Sequence, residues 1–173
     1  MSGLPVFYIQ KRIGLNGREF KLYKFRTMVV NAEKDQQKLA YLNEADGPVF
    51  KIRNDPRLTG VGKFLSHSGL DELPQFLNIL IGDMNLIGPR PLPVSEANKI
   101  NIKYRHRRES IKPGLLSPWI LNGYHRLSFD DWMKSDISYI KNKSFSYDTK
   151  IFLKSIYFLI NLFFKTMKEI LKS

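Results

Sequence analysis

Two adjacent carboxylates, Asp71 and Glu72, stand just ahead of a proline in the run Leu70-Asp71-Glu72-Leu73-Pro74-Gln75. Proline has no N–H to give to a residue four back and is tolerated only in a first helical turn, so a helix starts near Leu70 or Asp71. That end carries partial positive charge, which favours ionised carboxylates and attracts phosphate. Such a pair either caps the helix or does chemistry. A second feature is Gly88-Pro89-Arg90-Pro91, a stiff loop that presents one guanidinium. A restrained Arg either closes a salt bridge or holds a phosphate with both arms of its fork. From Lys99 to Lys112, six Lys and Arg residues face only Glu109, which reads as a solvated helix face or as an anion-attracting one. His67, His106 and His125 have no metal-ligand spacing, and the absence of cysteine removes thiolate zinc sites, Cys nucleophiles and disulfides.

The elements that must position these groups belong to a chain of 173 residues, 43% hydrophobic and 25% charged, which suits a single globular domain and excludes disorder. A net charge of +12 favours phosphates, nucleic acid or acidic lipid as partners. The start, Met1-Ser2-Gly3-Leu4-Pro5, is no secretory signal. The longest apolar stretch, Ile151 to Phe164, is broken by Lys154, Ser155 and Asn161 and falls short of a membrane span. It is expected to lie on a membrane, or to dock against the domain, rather than to cross a bilayer.

Val6 to Gln10 and Phe20 to Thr27 read as strands of a hairpin, with Asn16-Gly17 supplying the turn. Lys24 and Arg26 then share a face. Ala32 to Asn43 is expected to form a solvated helix, and Val49 to Arg53 a short strand. Leu70, Leu73, Leu77 and Leu80 recur at helical spacing, which predicts a buried face on a helix from about Asp71 to Ile81. Ser95 to Arg108 reads as helical. Ser128 with Asp131 resembles a capping box opening the next helix, and a last helix runs from about Tyr147 to Lys172. The expectation is α+β: one compact domain with a small, mostly antiparallel sheet or hairpin, a core over about 5–145 and an amphipathic C-terminal helix over about 147–172.

In order, Lys24-Phe25-Arg26-Thr27-Met28, Gly47-Pro48-Val49-Phe50-Lys51, Asp55-Pro56-Arg57, the dyad segment, Gly82-Asp83-Met84, Gly88-Pro89-Arg90-Pro91-Leu92 and Lys112-Pro113-Gly114 resemble the motifs of the bacterial sugar transferase family. These are the small monotopic polyprenyl-phosphate phosphoglycosyl transferases, and the likeness runs from about Pro5 to Lys154. The resemblance implies transfer of a phosphosugar from a UDP-sugar to undecaprenyl phosphate, at the cytoplasmic face of the bacterial inner membrane, to initiate surface polysaccharide or glycan assembly. It casts Asp71 as the nucleophile that forms a covalent phosphosugar intermediate, and Glu72, with Asp71, as the holder of Mg²⁺. Lys24, Arg26, Lys51, Arg57, Arg90, Arg108, Lys112 and Asp136 make up the implied substrate-binding set.

The sequence also departs from the family pattern. Members commonly open with an apolar re-entrant helix-turn-helix, which this chain is expected to lack. Ser66 stands where many carry Arg, Gly69 where Ser is usual, and Leu115-Leu116-Ser117 where a Thr-Gly often follows the Lys-Pro-Gly motif. A noncatalytic homologue and a basic nucleic-acid-binding module are the alternative readings. No RNP, zinc-finger or helix-turn-helix pattern supports the latter, so nucleic acid is not expected as a partner.

Overall fold

The computed structural model describes residues 5–119 and 128–171. The chain opens with two antiparallel strands, β1 (Phe7–Ile13) and β2 (Glu19–Phe25), in a register that sets Tyr8 opposite Lys24 and Gln10 opposite Leu22. Asn16 and Gly17 both take positive φ in the 3-10 turn Leu15–Gly17, the conformation these two residue types accept most readily. The turn residues and the shared face of the hairpin are therefore as expected. Strand β1 runs three residues further than the sequence suggests, and this carries Arg12 onto the face of Lys24.

The next segment differs from expectation. Ala32 to Asn43 folds as two separate 3-10 turns, Ala32–Asp35 and Ala40–Leu42, rather than one helix. With few apolar positions, it has no face whose burial would hold a longer helix together. Residues 49 to 53 form no strand; instead the Lys51 carbonyl accepts the Glu44 N–H, and the Lys51 N–H donates to the Asn43 side chain.

A helix that the sequence reading passed over, α1 (Gly60–Ser68), starts at Thr59, whose hydroxyl accepts the N–H of Gly62. It ends at Gly69, with φ of 77°, and the chain turns there into the 3-10 turn Leu70–Glu72 and then into α2 (Gln75–Ile81). The helical start near Leu70 holds, but the buried leucine face does not. Gln75 and Asn78 point inward, whereas Leu73, Leu77 and Leu80 are exposed, Leu80 to 83%. Apolar spacing marks a stripe on a helix but not what that stripe meets.

A short parallel pair, β3 (Asn85–Ile87) with β4 (Gly114–Leu116), joins the two halves of the chain. The backbones meet at Gly88 and Gly114; a Cβ on Gly114 would lie 2.0 Å from the Gly88 nitrogen. Between these strands, the expected single helix from Ser95 is split into α3 (Val94–Ala97) and α4 (Ile102–Glu109), the latter capped by the Asn101 side chain.

Ser128 caps α5 (Phe129–Asn142) through the N–H of Asp131, as the spacing suggests, and α6 (Phe145–Leu171) closes the fold. Helix α5 serves two apolar clusters. Trp132 and Met133 join Ile13, Leu92, Ala97 and Ile100, while Tyr139 joins Ile87, Leu116 and Ile151 of α6. The class is thus α+β and compact, with the hairpin as its antiparallel part and a parallel pair that the sequence does not announce.

Candidate functional site

The dyad sits on the 3-10 turn between α1 and α2, and the charged side chains that touch it come from two directions. From β2, the Lys24 ammonium lies 3.3 Å from Asp71 Oδ2 and 2.9 Å from Glu72 Oε1. From the loop after β3, Arg90 grips Glu72 with both arms: Nη2 donates to Oε1 at 2.7 Å and Nη1 to Oε2 at 3.4 Å. The two carboxylates are consequently unequal. Glu72 is pushed up by burial but held well below the usual carboxylate range by Arg90 and Lys24, so it stays ionised. Asp71 is buried and its pKa is raised; Lys24 opposes the cost of burial without cancelling it, and the charge on Glu72 adds to it.

Behind Arg90 lies a supporting layer. Arg108 donates from Nη2 to the Arg90 carbonyl at 2.7 Å and from Nε to Asp136 at 2.8 Å. Asp136 is fully buried on α5; burial pushes its carboxyl up to about 6 even though Arg108 pulls it down. Arg12 donates to the Pro91 carbonyl at 3.0 Å and to Gln10, and burial together with the charge of Arg90 lowers it to about 10. Ile13 N–H bonds to the Leu92 carbonyl, so the free edge of β1 holds the Arg90 loop in place. Lys51 is pushed down to about 8, first by burial and then by Arg90, and its ammonium lies 5.9 Å from the ring of Trp119, which stacks on Trp132.

Of the expected substrate-binding residues, then, Lys24 and Arg90 touch the dyad, Arg108 and Asp136 form one ion pair behind it, and Lys51 lies within the field of Arg90. Three others sit elsewhere. Arg57 is buried in a pair with Asp55 and donates to the Ala32 carbonyl, tying two loops together. Arg26 donates to the Pro5 carbonyl and lies over the Tyr8 ring. Lys112 approaches Gly82 at the C-terminal end of α2, away from the dyad. The basic run from Lys99 is not one face either, because Arg105 pairs with Glu109 and Arg108 turns inward to Asp136.

Sequence reading missed Arg12, Glu96 and Asn78. Arg12 had a signal: in a strand reaching residue 13, the period of two places Tyr8, Gln10 and Arg12 on the face of Lys24. Glu96, raised by burial and facing Arg12 and Arg90, had none, since it is a single acid in an unremarkable helix.

Chemically, the arrangement offers a buried carboxylate with one lysine partner, a second carboxylate locked in its ionised form, and a surplus of fixed cations around both. That is an environment for an anion reacting with a phosphate ester, where fixed positive charge offsets the repulsion between nucleophile and substrate.

The family model described as bacterial sugar transferase matches residues 1–162. The galactosyl transferase CpsE of Streptococcus agalactiae serotype III (strain NEM316) is 43% identical over 156 residues, covering 90% of this chain and 34% of that protein. The undecaprenyl-phosphate galactose phosphotransferase of Salmonella typhimurium (strain LT2) is 35% identical over 164 residues, 89% of this chain and 33% of the relative. The exopolysaccharide production protein ExoY of Rhizobium meliloti (strain 1021) is 37% identical over 159 residues, 90% of this chain and 70% of ExoY. The chain thus spans about a third of the length of the first two relatives. With the family model matching residues 1–162 of its 173, the chain belongs to the bacterial sugar transferase family.

Proposed function

We propose that this chain carries the catalytic centre of a phosphoglycosyl transferase that moves a phosphosugar from a UDP-sugar to undecaprenyl phosphate at the cytoplasmic face of the bacterial inner membrane, as the first step of a surface polysaccharide or glycan. The observation that carries the proposal is the asymmetric dyad: Glu72 is clamped by Arg90 and Lys24, while Asp71 is buried with Lys24 as its one side-chain partner among the described residues. The names of relatives point the same way; one in Aeromonas hydrophila is a UDP-N-acetylgalactosamine-undecaprenyl-phosphate N-acetylgalactosaminephosphotransferase.

In this reading a carboxylate oxygen of Asp71 attacks the β-phosphorus of the UDP-sugar. The bond from that phosphorus to the oxygen bridging the two phosphates breaks, UMP leaves with the electron pair, and an aspartyl-phosphosugar remains. A phosphate oxygen of the lipid then attacks the same phosphorus and releases the Asp71 carboxylate. Lys24 keeps Asp71 sufficiently ionised to react, and Arg90 receives phosphate oxygens from a loop that cannot move far. Mg²⁺ fits the donor set, since it is commonly bound by one or two carboxylates with phosphate and water supplying the rest. Among the described residues no third His, Cys, Asp or Glu joins the dyad. Glu72, with Asp71, would hold the ion, which when bound neutralises the diphosphate.

Two exposed apolar strips support a membrane location. One is formed by Leu77, Leu80 and Ile81 of α2, the other by Leu153, Tyr157, Ile160 and Phe164 of α6. No helix among the described residues is long and apolar enough to cross a membrane, so contact would be with one surface.

UMP release from a panel of UDP-sugars, with Mg²⁺ and undecaprenyl phosphate in membranes, tests the activity. Intact mass after incubation with donor alone should show one phosphosugar adduct, absent in Asp71→Asn. Glu72→Gln should lower turnover and weaken its Mg²⁺ dependence. An adduct on the Asp71→Asn protein would overturn the assignment of nucleophile.

A further inference from the structure

Next to the dyad, a second concentration of positive charge is built on a loop that the proposed transfer has not used. Residues 43 to 53 are knit together by one side chain. Asn43 donates from Nδ2 to the Ala45 and Val49 carbonyls, and its Oδ1 accepts the N–H groups of Ala45 and Lys51. The loop is then pinned to α5. Both oxygens of Asp46 accept the N–H of Phe129, 2.9 Å away, and Gly47, at φ of 67°, lies so near the Phe129 ring that a Cβ would come within 2.6 Å of it. What this bracing fixes is Lys51, which is half-buried with its ammonium 5.9 Å from the ring of Trp119. The charges acting on that ammonium are Arg90 of the loop after β3, and Glu44 and Arg53 of its own loop; neither dyad carboxylate is among them. Asp71, in turn, feels Lys24, Glu72 and Arg90. Arg90 is thus the cation common to two neighbourhoods, that of the dyad and that of Lys51. Burial and Arg90 together push Lys51 down to about 8. A doubly charged anion lying against both cations would relieve that repulsion.

The proposed reaction supplies such an anion twice. Attacking and leaving oxygens lie roughly in line at phosphorus. When Asp71 attacks the β-phosphorus, the UMP phosphate therefore leaves from the side opposite Asp71. In the second step the lipid phosphate oxygen forms its bond to phosphorus from that same side, while the aspartyl bond breaks and Asp71 departs with the electron pair. Both UMP and the lipid phosphate are phosphate monoesters carrying close to two negative charges near neutral pH. In the donor, the phosphate that is not attacked adjoins the one at Asp71, so a cation beside Arg90 but outside the field of the dyad is where it would be met. We propose that Lys51 and Arg90 form one phosphate-monoester subsite, filled first by the departing UMP and then by the lipid phosphate. The inference rests on the proposed transfer for the order of occupancy, whereas the subsite itself is testable without turnover.

Equilibrium binding of UMP to the whole chain, followed by NMR of the ligand, tests the subsite. Affinity is expected to fall about tenfold from pH 7 to pH 9, as Lys51 loses its proton through a midpoint near 8. Arg12, the other cation that Arg90 lowers, has its midpoint near 10 and stays largely charged over that range. Lys51→Arg should keep the affinity at pH 7 and lose the fall. Lys51→Met should bind UMP about tenfold more weakly at pH 7, again with no fall. Uridine, which has no phosphate, should bind all three proteins alike, an outcome that loosening of the loop would not produce. Decyl phosphate should compete with UMP on the unaltered protein and be weakened by Lys51→Met to the same extent. A pH profile that Lys51→Arg leaves unchanged, equal losses for UMP and uridine, or simultaneous binding of UMP and decyl phosphate would each overturn the proposal. Should Lys51→Met fail to fold, the pH profiles of the unaltered and Lys51→Arg proteins decide. Failure here is distinguishable from failure of the proposed transfer. A phosphosugar adduct on Asp71 together with UMP binding that ignores Lys51 sinks the subsite alone, whereas Lys51-dependent binding with no adduct sinks the nucleophile alone.

Discussion

Asp71 and Glu72 are chemically alike and one residue apart, yet their surroundings drive them in opposite directions. The sign of the resulting pH dependence follows from Asp71. Its protonated form is favoured by burial, and an Asp nucleophile must be ionised, so the rate should fall as pH drops through a midpoint above the ordinary carboxylate range of about 4. Glu72 contributes nothing to that limb because it remains charged throughout. Lys24→Met removes the opposing charge and should move the acid limb of a pH–rate profile further up; a limb that stays in place would show that Lys24 does not tune Asp71. Among the cations, Arg90 makes a two-armed contact from between prolines, whereas Lys99 is exposed on the surface, so Arg90→Ala should cost far more turnover than Lys99→Ala. Similar losses from the two would remove the reason for singling out the loop.

At the scale of elements, the hairpin is the frame on which the site hangs. The outer edge of β1 holds the Arg90 loop through Ile13 and Arg12, the edge of β2 holds α2 through Asn78, and Lys24 reaches the dyad from between the two. The Arg90 loop is braced a second time where β3 meets β4, since Gly114 N–H bonds to the Pro89 carbonyl at 2.9 Å. Gly114→Ala would drive a methyl into the Gly88 backbone. It should cost at least the roughly 1–3 kcal/mol typical of overpacking and lower turnover with it. Gly60→Ala, where a Cβ meets nothing within 4 Å, is the matched control and should leave both unchanged. Thermal melts and UMP release of the two variants decide the matter, and equal behaviour would show that the close approach at Gly114 is not needed. Gly69 has a comparable reason to be glycine: its φ of 77° lets α1 end and the dyad turn begin.

For the molecule as a whole, α6 both completes the core and offers an apolar surface. Ile151 and Ser155 are fully buried, Phe163 meets Phe64 of α1, and Leu159 lies 3.2 Å from where a Cβ on Gly69 would sit, just before the dyad. Cutting the chain before this helix would open the core, so membrane binding is better probed on its outer side. Replacing Leu153 and Ile160 by Gln should weaken sedimentation with anionic liposomes by about tenfold per residue, since burying such side chains contributes about 1.5–3 kcal/mol each. Replacing Lys165 and Lys168 should reduce the dependence on lipid charge, at about 1 kcal/mol per lysine, and added salt should do the same. Binding indifferent to all of these would sink the membrane reading of this face.

Much of this was open to sequence reading, for physical reasons that differ from residue to residue. Pro74 limits where a helix can start, Asn16-Gly17 accepts positive φ, Ser128 finds the N–H of Asp131 three residues on, and Arg90 is held by its neighbours in the chain; each is a local effect, complete within a few residues. The helical start at the dyad, the hairpin turn, the α5 cap and the long final helix were legible on that basis. Tertiary contact decided the rest. It turned the leucines of α2 outward because Asn78 found backbone partners on β2, broke the segment after Ala32 into short turns for want of a surface to pack on, and drew Arg57 into a loop-tying pair with Asp55. It also brought Lys24 and Arg90, 66 residues apart in the chain, onto one glutamate. Spacing along a chain records which residues can share a face, but burial and charge pairing depend on what that face meets, and only the folded molecule supplies it.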